Sequence, residues 1–335
     1  MFDKLLTGIG VDISNHHVRF AQVSRFGSIK HLHEIVLPEG LVEDEKIAKP
    51  DELDALLEEK MQDAPFLNGE PFRAAILIPE SHVFTSSFLL PADLKRDPLH
   101  NVSLERAQKS IPLPFKNAEV AITTGKKIDD QRRVTVHAVQ REVVQGLRGI
   151  LDPDHFELTA MESNTKALER LADLFGTEKM TKGDKDHQRM AIVDVGHSWA
   201  TLSVYTPAGL CVFSRSLAYR EIEADLDKQQ GVALDDGSIE KILEMVEQII
   251  DHFSEDTAEI ACILFAGVEA AQDEFKEVVK EQDNTEEPYD MHIIGDMVEI
   301  DSLSSDEMHT YGAAIGAAVR AAKPRKFNHH HNFVL

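Results

Sequence analysis

Runs of apolar residues broken by polar ones over 8–13, 17–24 and 29–37 predict three strands in succession. Within the second, Val18, Phe20 and Gln22 interleave with Arg19, Ala21 and Val23, and Phe26-Gly27-Ser28 supplies the turn that follows. An acidic loop over 38–49 breaks the pattern. From Pro50 the spacing changes: Leu53, Leu56, Leu57 and Met61 fall on one helical face. A short buried strand is predicted at 73–79. Residues 84–160 change character again, with strands at 83–90, 119–124 and 133–139 and helices at 97–110 and 141–151. The run Ile111-Pro112-Leu113-Pro114-Phe115 stops the first of these helices, because proline lacks the amide that would continue it. A further helix is predicted at 165–175, and 176–189 reads as a polar exposed loop.

The pattern then repeats. Val193-Asp194-Val195 matches Val11-Asp12-Ile13 at an offset of 182 residues, and the same offset sets Leu202 on Phe20, Ala200 on Val18 and Gly209 on Gly27. Helical sequence at 238–253 and a buried strand at 260–266 follow, as a helix and a strand follow in the first set. The fold class expected is therefore α/β: a duplicated fold in which each half opens with a hairpin carrying an aspartate. In that architecture a nucleotide lies between the halves.

Composition narrows the function. Among 335 residues, 59 are acidic and 35 basic, a net charge of −24, which argues against a nucleic-acid partner needing a cationic face. The charge is uneven: 221–310 carries 27 acids and 4 bases, whereas 92–148 carries 11 bases and 7 acids. Cys211 and Cys262 stand far apart in apolar runs and read as buried thiols rather than a disulfide. No apolar run reaches the roughly 18–20 residues of a membrane helix, and the first ten residues lack the apolar stretch of a secretory signal. A cytoplasmic protein is expected.

Two loops carry the candidate chemistry. In the first, Asp12 is followed by Ser14 and Asn15, and successive backbone amides in a tight turn can cradle a phosphate. In the second, Asp194 is followed by Gly196, His197 and Ser198, with Gly196 allowing close backbone approach. Asp12 and Asp194 are the candidate Mg²⁺ ligands, each through water. Ala266-Gly267 forms a small-residue turn against which an adenine ring can lie. Glu162 is the candidate catalytic residue, orienting a water toward a γ-phosphate; the competing reading is a carboxylate at a helix start. The small residues of 311–318 let two helices approach closely. His329-His330-His331 stands in a stretch expected to be a disordered tail.

These segments in this order resemble the type IV pilus assembly protein PilM family, actin-like ATP-binding proteins related to the cell-division protein FtsA. The residues that carry the resemblance are 10–18, 111–115, 162–167, 192–204, 264–270 and 311–320, and it spans roughly 7–322. It implies a first actin-like half beginning at 1–83, an inserted FtsA-type subdomain at 84–160, a bridging helix and linker at 161–189, a second half at 190–322 and a tail at 323–335. It implies ATP and Mg²⁺ as cofactors. It also implies a partner: the cytoplasmic N-terminal segment of a PilN-like bitopic inner-membrane protein, docked in a groove beside the inserted subdomain. A pilus motor ATPase and a homo-oligomer or ring are further implied associations, and the protein would sit peripherally at the inner membrane through its partners. This chain departs from the family pattern where Ser14 replaces a glycine, where His16, His17, His197 and Trp199 add bulk, and where Ala266-Gly267 replaces a double glycine. A slow ATPase and a pseudo-ATPase both remain open. Two other readings are a sugar- or acetate-type kinase of the same superfamily and a filament-forming actin-like protein.

Overall fold

The computed structural model describes residues 7–61, 72–151, 154–175, 189–219, 234–254, 260–283, 289–298, 300, 303–323 and 332–333. The chain divides into two compact units. Unit 1 comprises Met1–Ala167 with Ala313–Leu335, and unit 2 comprises Leu168–Gly312.

Unit 1 begins with three strands, β1 (Thr7–Ile13), β2 (His17–Ser24) and β3 (Ile29–Val36), followed by a two-residue-armed hairpin of β4 (Val42–Glu43) and β5 (Lys46–Ile47). Helix α1 (Pro50–Met61) buries Leu53, Leu57 and Met61. Then come β6 (Phe72–Ile78), β7 (Val83–Pro91), α2 (Arg96–Ala107), β8 (Ala118–Ile128), β9 (Gln131–Gln140), α3 (Arg141–Gly149) and β10 (Phe156–Ser163). Five strands form one sheet in the order β10-β6-β1-β2-β3, antiparallel between β1 and β2 and parallel from β1 to β6 to β10. Every residue of β2 is buried, including His17, Arg19 and Gln22, which suits a strand covered on both faces.

A separate antiparallel sheet, β7-β9-β8, carries the inserted region with its own apolar core around Ile111, Leu113, Val134, Val136 and Ala138. This sheet ends at Gln140. Helix α3 turns Val143, Val144 and Leu147 into the main core of unit 1, and β10 pairs with β6. The insertion is thus narrower than the expected 84–160.

Helix α4 (Asn164–Phe175) carries the chain from unit 1 into unit 2. Unit 2 contains β11 (Arg189–Val195), β12 (Trp199–Tyr205), β13 (Cys211–Ala218), α5 (Asp236–Ser254), β14 (Ile260–Ala266), α6 (Asp273–Asp283), β15 (Asp290–Ile293) and the single turn α7 (Ile294–Met297). Its sheet order, β13-β12-β11-β14-β15, is that of unit 1 with β11, β14 and β15 in the places of β1, β6 and β10. The register repeats as well: Asp12 opposes Arg19 and Asp194 opposes Thr201, so both pairs keep the 182-residue offset. The duplication read from the sequence is a duplication of the sheet.

Helix α8 (Ser305–Ala322) returns the chain to unit 1, where its residues from Ala313 onward belong. There the small residues pack helix on strand. A Cβ on Gly8 or Gly10 of β1 would stand 2.2 Å from Ala322 N or 1.8 Å from Ala314 O, so only glycine permits the approach. The second half expected at 190–322 therefore gives its last ten residues to unit 1. Most of the tail expected at 323–335 lies outside the described residues; within it Asn332 and Phe333 are described, and Phe333 is 1 % exposed.

Candidate functional site

In unit 2 the strand ends gather most of the residues singled out in sequence. Asp194 on β11 lies beside Ala266 on β14 in parallel register, which sets the second loop against the small-residue turn. Gly267 holds φ +93°, and a Cβ there would meet Val195 O at 2.5 Å and Asp194 Oδ1 at 2.6 Å. The turn requires glycine for its conformation and for its space. In the loop, Gly196 N–H donates to Trp199 O at 2.9 Å, Tyr219 N–H donates to Ser198 O at 3.1 Å, and the Tyr219 hydroxyl donates to Gly196 O.

The loop and the turn are also joined by side chains. His197 Nδ1 donates to Glu269 Oε1 at 2.6 Å, and Glu269 is buried. Gln272 Nε2 donates to the other carboxylate oxygen, and Gln272 Oε1 accepts from Leu234 N–H at 2.7 Å. From α8, His309 Nδ1 donates to Gly267 O at 3.1 Å. Burial lowers the His309 pKa to about 4, with Lys276 adding to the shift, so the ring is neutral at pH 7. Glu269, His309 and Tyr219 went unnoticed in sequence, because nothing in their spacing links them to the loops they hold.

In unit 1 the corresponding residues are committed differently. Ser14 Oγ accepts from His17 N–H at 3.2 Å and from His16 N–H at 3.4 Å, capping its own turn. Asn15 Oδ1 accepts from Glu45 N–H at 2.7 Å. It therefore tethers the β4–β5 hairpin, a task different from the phosphate contact expected of it. Asp12 has its pKa raised, chiefly by burial, against the opposing pull of Arg19 and of the Ile13 amide. Glu162 is the last residue but one of β10, which Ser163 ends, two residues before α4 begins. It is 0 % exposed and accepts from Arg320 Nη1 of α8. Its carboxylate neutralises a buried guanidinium. Among the described residues no group of three or more His, Cys, Asp or Glu is arranged to hold a metal ion.

A groove of about 380 Å³ opens in unit 1 between the β4–β5 hairpin and α3. Its lining includes Glu43, Asp44, Glu45 and Glu142 with Lys46 among them, and apolar surface from Ile47, Val143 and Leu147. The hairpin tip is strained, with Asp44 at φ 48° and Glu45 at φ 58°. Three contacts hold it: the Asn15 bond, a bond from His82 Nε2 to Asp44 O at 2.7 Å, and one from the Ser81 hydroxyl to the Glu45 carboxylate. The acidic loop of 38–49 gave no sign of this in sequence, since only the fold brings α3 opposite it.

Comparison with known proteins completes the assignment. Residues 10–248 match the family described as type IV pilus assembly protein PilM. No curated protein matches the chain. Among solved structures, one titled as the PilM-PilN type IV pilus biogenesis complex is similar over 95 % of this chain and 99 % of that one, at TM-score 0.70 and 16 % identity. A Bacteroides thetaiotaomicron protein with an actin-like ATPase fold and unknown function is similar over 89 % and 94 %, at TM-score 0.50 and 12 % identity. The fold is actin-like. With more than half of its length matched, the chain belongs to the type IV pilus assembly protein PilM family.

Proposed function

We propose that this protein is an assembly scaffold under a pilus-type inner-membrane complex, and that it docks a short cytoplasmic segment of a PilN-like bitopic partner in the groove between the β4–β5 hairpin and α3. The observation that carries the docking is the groove itself. Four acidic residues and one lysine line it, together with Ile47, Val143 and Leu147. That lining suits an extended segment in which a basic residue is flanked by large apolar ones. The similar structure named as a PilM-PilN complex supports a partner of that kind. Among the described residues no helix is long and apolar enough to cross a membrane, so a membrane protein partner would supply the attachment.

Nucleotide binding is the second part of the proposal. The unit 2 loop and turn fit a nucleotide, since Gly196 leaves space beside its backbone and Gly267 keeps the turn free of side chain. Gly196, Ser198 and Gly267 would approach the ligand, and Asp194 would hold Mg²⁺ through water. Bound Mg·ATP would supply a phosphoryl group to water. The bond from Arg320 engages the Glu162 carboxylate proposed to orient that water, which favours binding with slow turnover. In unit 1, Ser14 and Asn15 serve the protein rather than a phosphate.

Calorimetry tests both parts. A synthetic partner segment with an Arg between apolar residues should bind saturably, and Glu142→Lys should weaken it by about tenfold or more. Mg·ATP should bind wild type and bind Asp194→Ala less well. Equal peptide affinity for Glu142→Lys would remove the groove assignment; equal ATP affinity for Asp194→Ala would remove the nucleotide one.

A further inference from the structure

Strand β10 ends its sheet, so the outer side of its backbone is an edge. Along that edge lie the Thr159 carbonyl and the N–H and carbonyl of Met161. Two residues from far along the chain take all three. Asn332 Oδ1 accepts from Met161 N–H at 2.9 Å, Asn332 Nδ2 donates to Thr159 O at 3.3 Å, and Phe333 N–H donates to Met161 O at 3.1 Å. A carboxamide offers the same donor and acceptor as a peptide unit, so the Asn332 side chain supplies what a neighbouring strand would supply. Arg148 Nη2 on α3 donates to the Phe333 carbonyl. The Phe333 ring is buried within the core that includes Leu147, Ile150, Leu151, Phe156 and Met161.

Simple anchoring of a segment would need only the buried ring. Here the main chain on either side of the ring is bonded, and an asparagine is specified by two further bonds. A sheet edge that binds backbone and holds one side chain in an apolar socket is the arrangement of β-strand addition. The Thr159 bulge, where β10 shifts register against β6, presents the edge at this point.

We propose that the β10 edge, with Arg148 and the apolar socket, is a docking strip for an extended segment bearing an asparagine followed by a large apolar residue, and that Asn332–Phe333 is such a ligand carried in cis. The partner that fits is a segment of the same chemistry on another polypeptide, which gains the strip when the chain's own pair leaves it. The strip differs from the groove described above in its polar contacts, because Arg148, Thr159 and Met161 are not among the groove's lining residues, although Leu147 borders both.

The test uses the full-length chain and a labelled peptide of the sequence His-His-His-Asn-Phe-Val-Leu, that of residues 329–335. Fluorescence anisotropy should show the Asn332→Ala/Phe333→Ala double variant binding the peptide at least about tenfold more tightly than wild type. A peptide with alanine in place of its asparagine should lose that gain. Hydrogen exchange at the Met161 amide should quicken in the variant and slow again on adding peptide. Should the double variant not fold, Asn332→Ala alone leaves the ring in its socket, and Met161 exchange reports the same competition. Equal binding to wild type and variant, or Met161 exchange indifferent to peptide, would make the pair a packing strap and overturn the proposal. Glu142→Lys should leave this binding unchanged, which separates it from the groove.

Discussion

At Gly267 a backbone angle, a close approach and a hydrogen bond coincide. Any side chain there must adopt φ +93° and push against Val195 and Asp194, so Gly267→Ala should destabilise unit 2 by about 1–3 kcal/mol, measured by urea unfolding. Mg·ATP affinity should fall with it. Glu162 presents the opposite case, a residue whose importance is structural. Removing one partner of a buried ion pair leaves an uncompensated charge, so Glu162→Ala should cost about 3–5 kcal/mol. The double substitution Glu162→Met/Arg320→Met should recover most of that loss. A Glu162→Ala protein as stable as wild type would show that the pair carries little. Asp12 adds an effect of defined sign. With its folded pKa raised by burial, the carboxyl holds its proton longer in the folded state, and stability falls as pH rises through that interval. Asp12→Asn should flatten this acid-range slope.

Among the elements, the β4–β5 hairpin shows how a two-residue tip with both residues in the left-handed region can persist. Such a tip matches strand twist but costs energy for non-glycine residues. Asn15, Ser81 and His82 offset that cost from the strand ends beneath it. Asn15→Ala should therefore loosen the hairpin and weaken peptide docking in the groove by roughly tenfold, while leaving Mg·ATP affinity unchanged. Calorimetry with the two ligands distinguishes this from a phosphate role, in which ATP affinity would fall. Helix α8 shows a second elemental device. Its small residues seat it directly on the glycines of β1, so the helix and sheet of unit 1 meet backbone to backbone.

For the molecule as a whole, each unit has its own sheet and its own titrating histidine. His309 in unit 2 is held neutral down to about pH 4, and His137 in unit 1 down to about pH 3, in both cases mainly by burial. An unfolded histidine takes up its proton near pH 6.5, so below that value the unfolded chain binds more protons than the folded one. Stability is full above pH 6.5 and falls as pH drops toward 4, by up to about 3 kcal/mol for His309. His309→Gln should flatten the slope of unfolding free energy between pH 4 and 6.5. Charge separates the units in another way. With 27 acids against 4 bases over 221–310, unit 2 repels itself, and added salt should raise its thermal midpoint more than that of unit 1.

The sequence by itself determined the elements and their repetition. Apolar runs set where the strands fall, the prolines at 112 and 114 keep the helix before them from continuing, and the 182-residue offset sets two sheets of one order. It also carried the family, through the order of short segments rather than any one of them. Tertiary structure decided the chemistry of individual side chains. Asp194 and Gly267 are a pair because two parallel strands end together, which their sequence separation does not reveal. Glu162 became an ion-pair partner and Asn15 a hairpin tether because Arg320 and Glu45 were folded onto them from elsewhere in the chain. Phe333, read as part of a disordered tail, found a socket only because α3 and β10 built one. Local pattern encodes what a residue buries; its partners across long separations are set only when the sheets close.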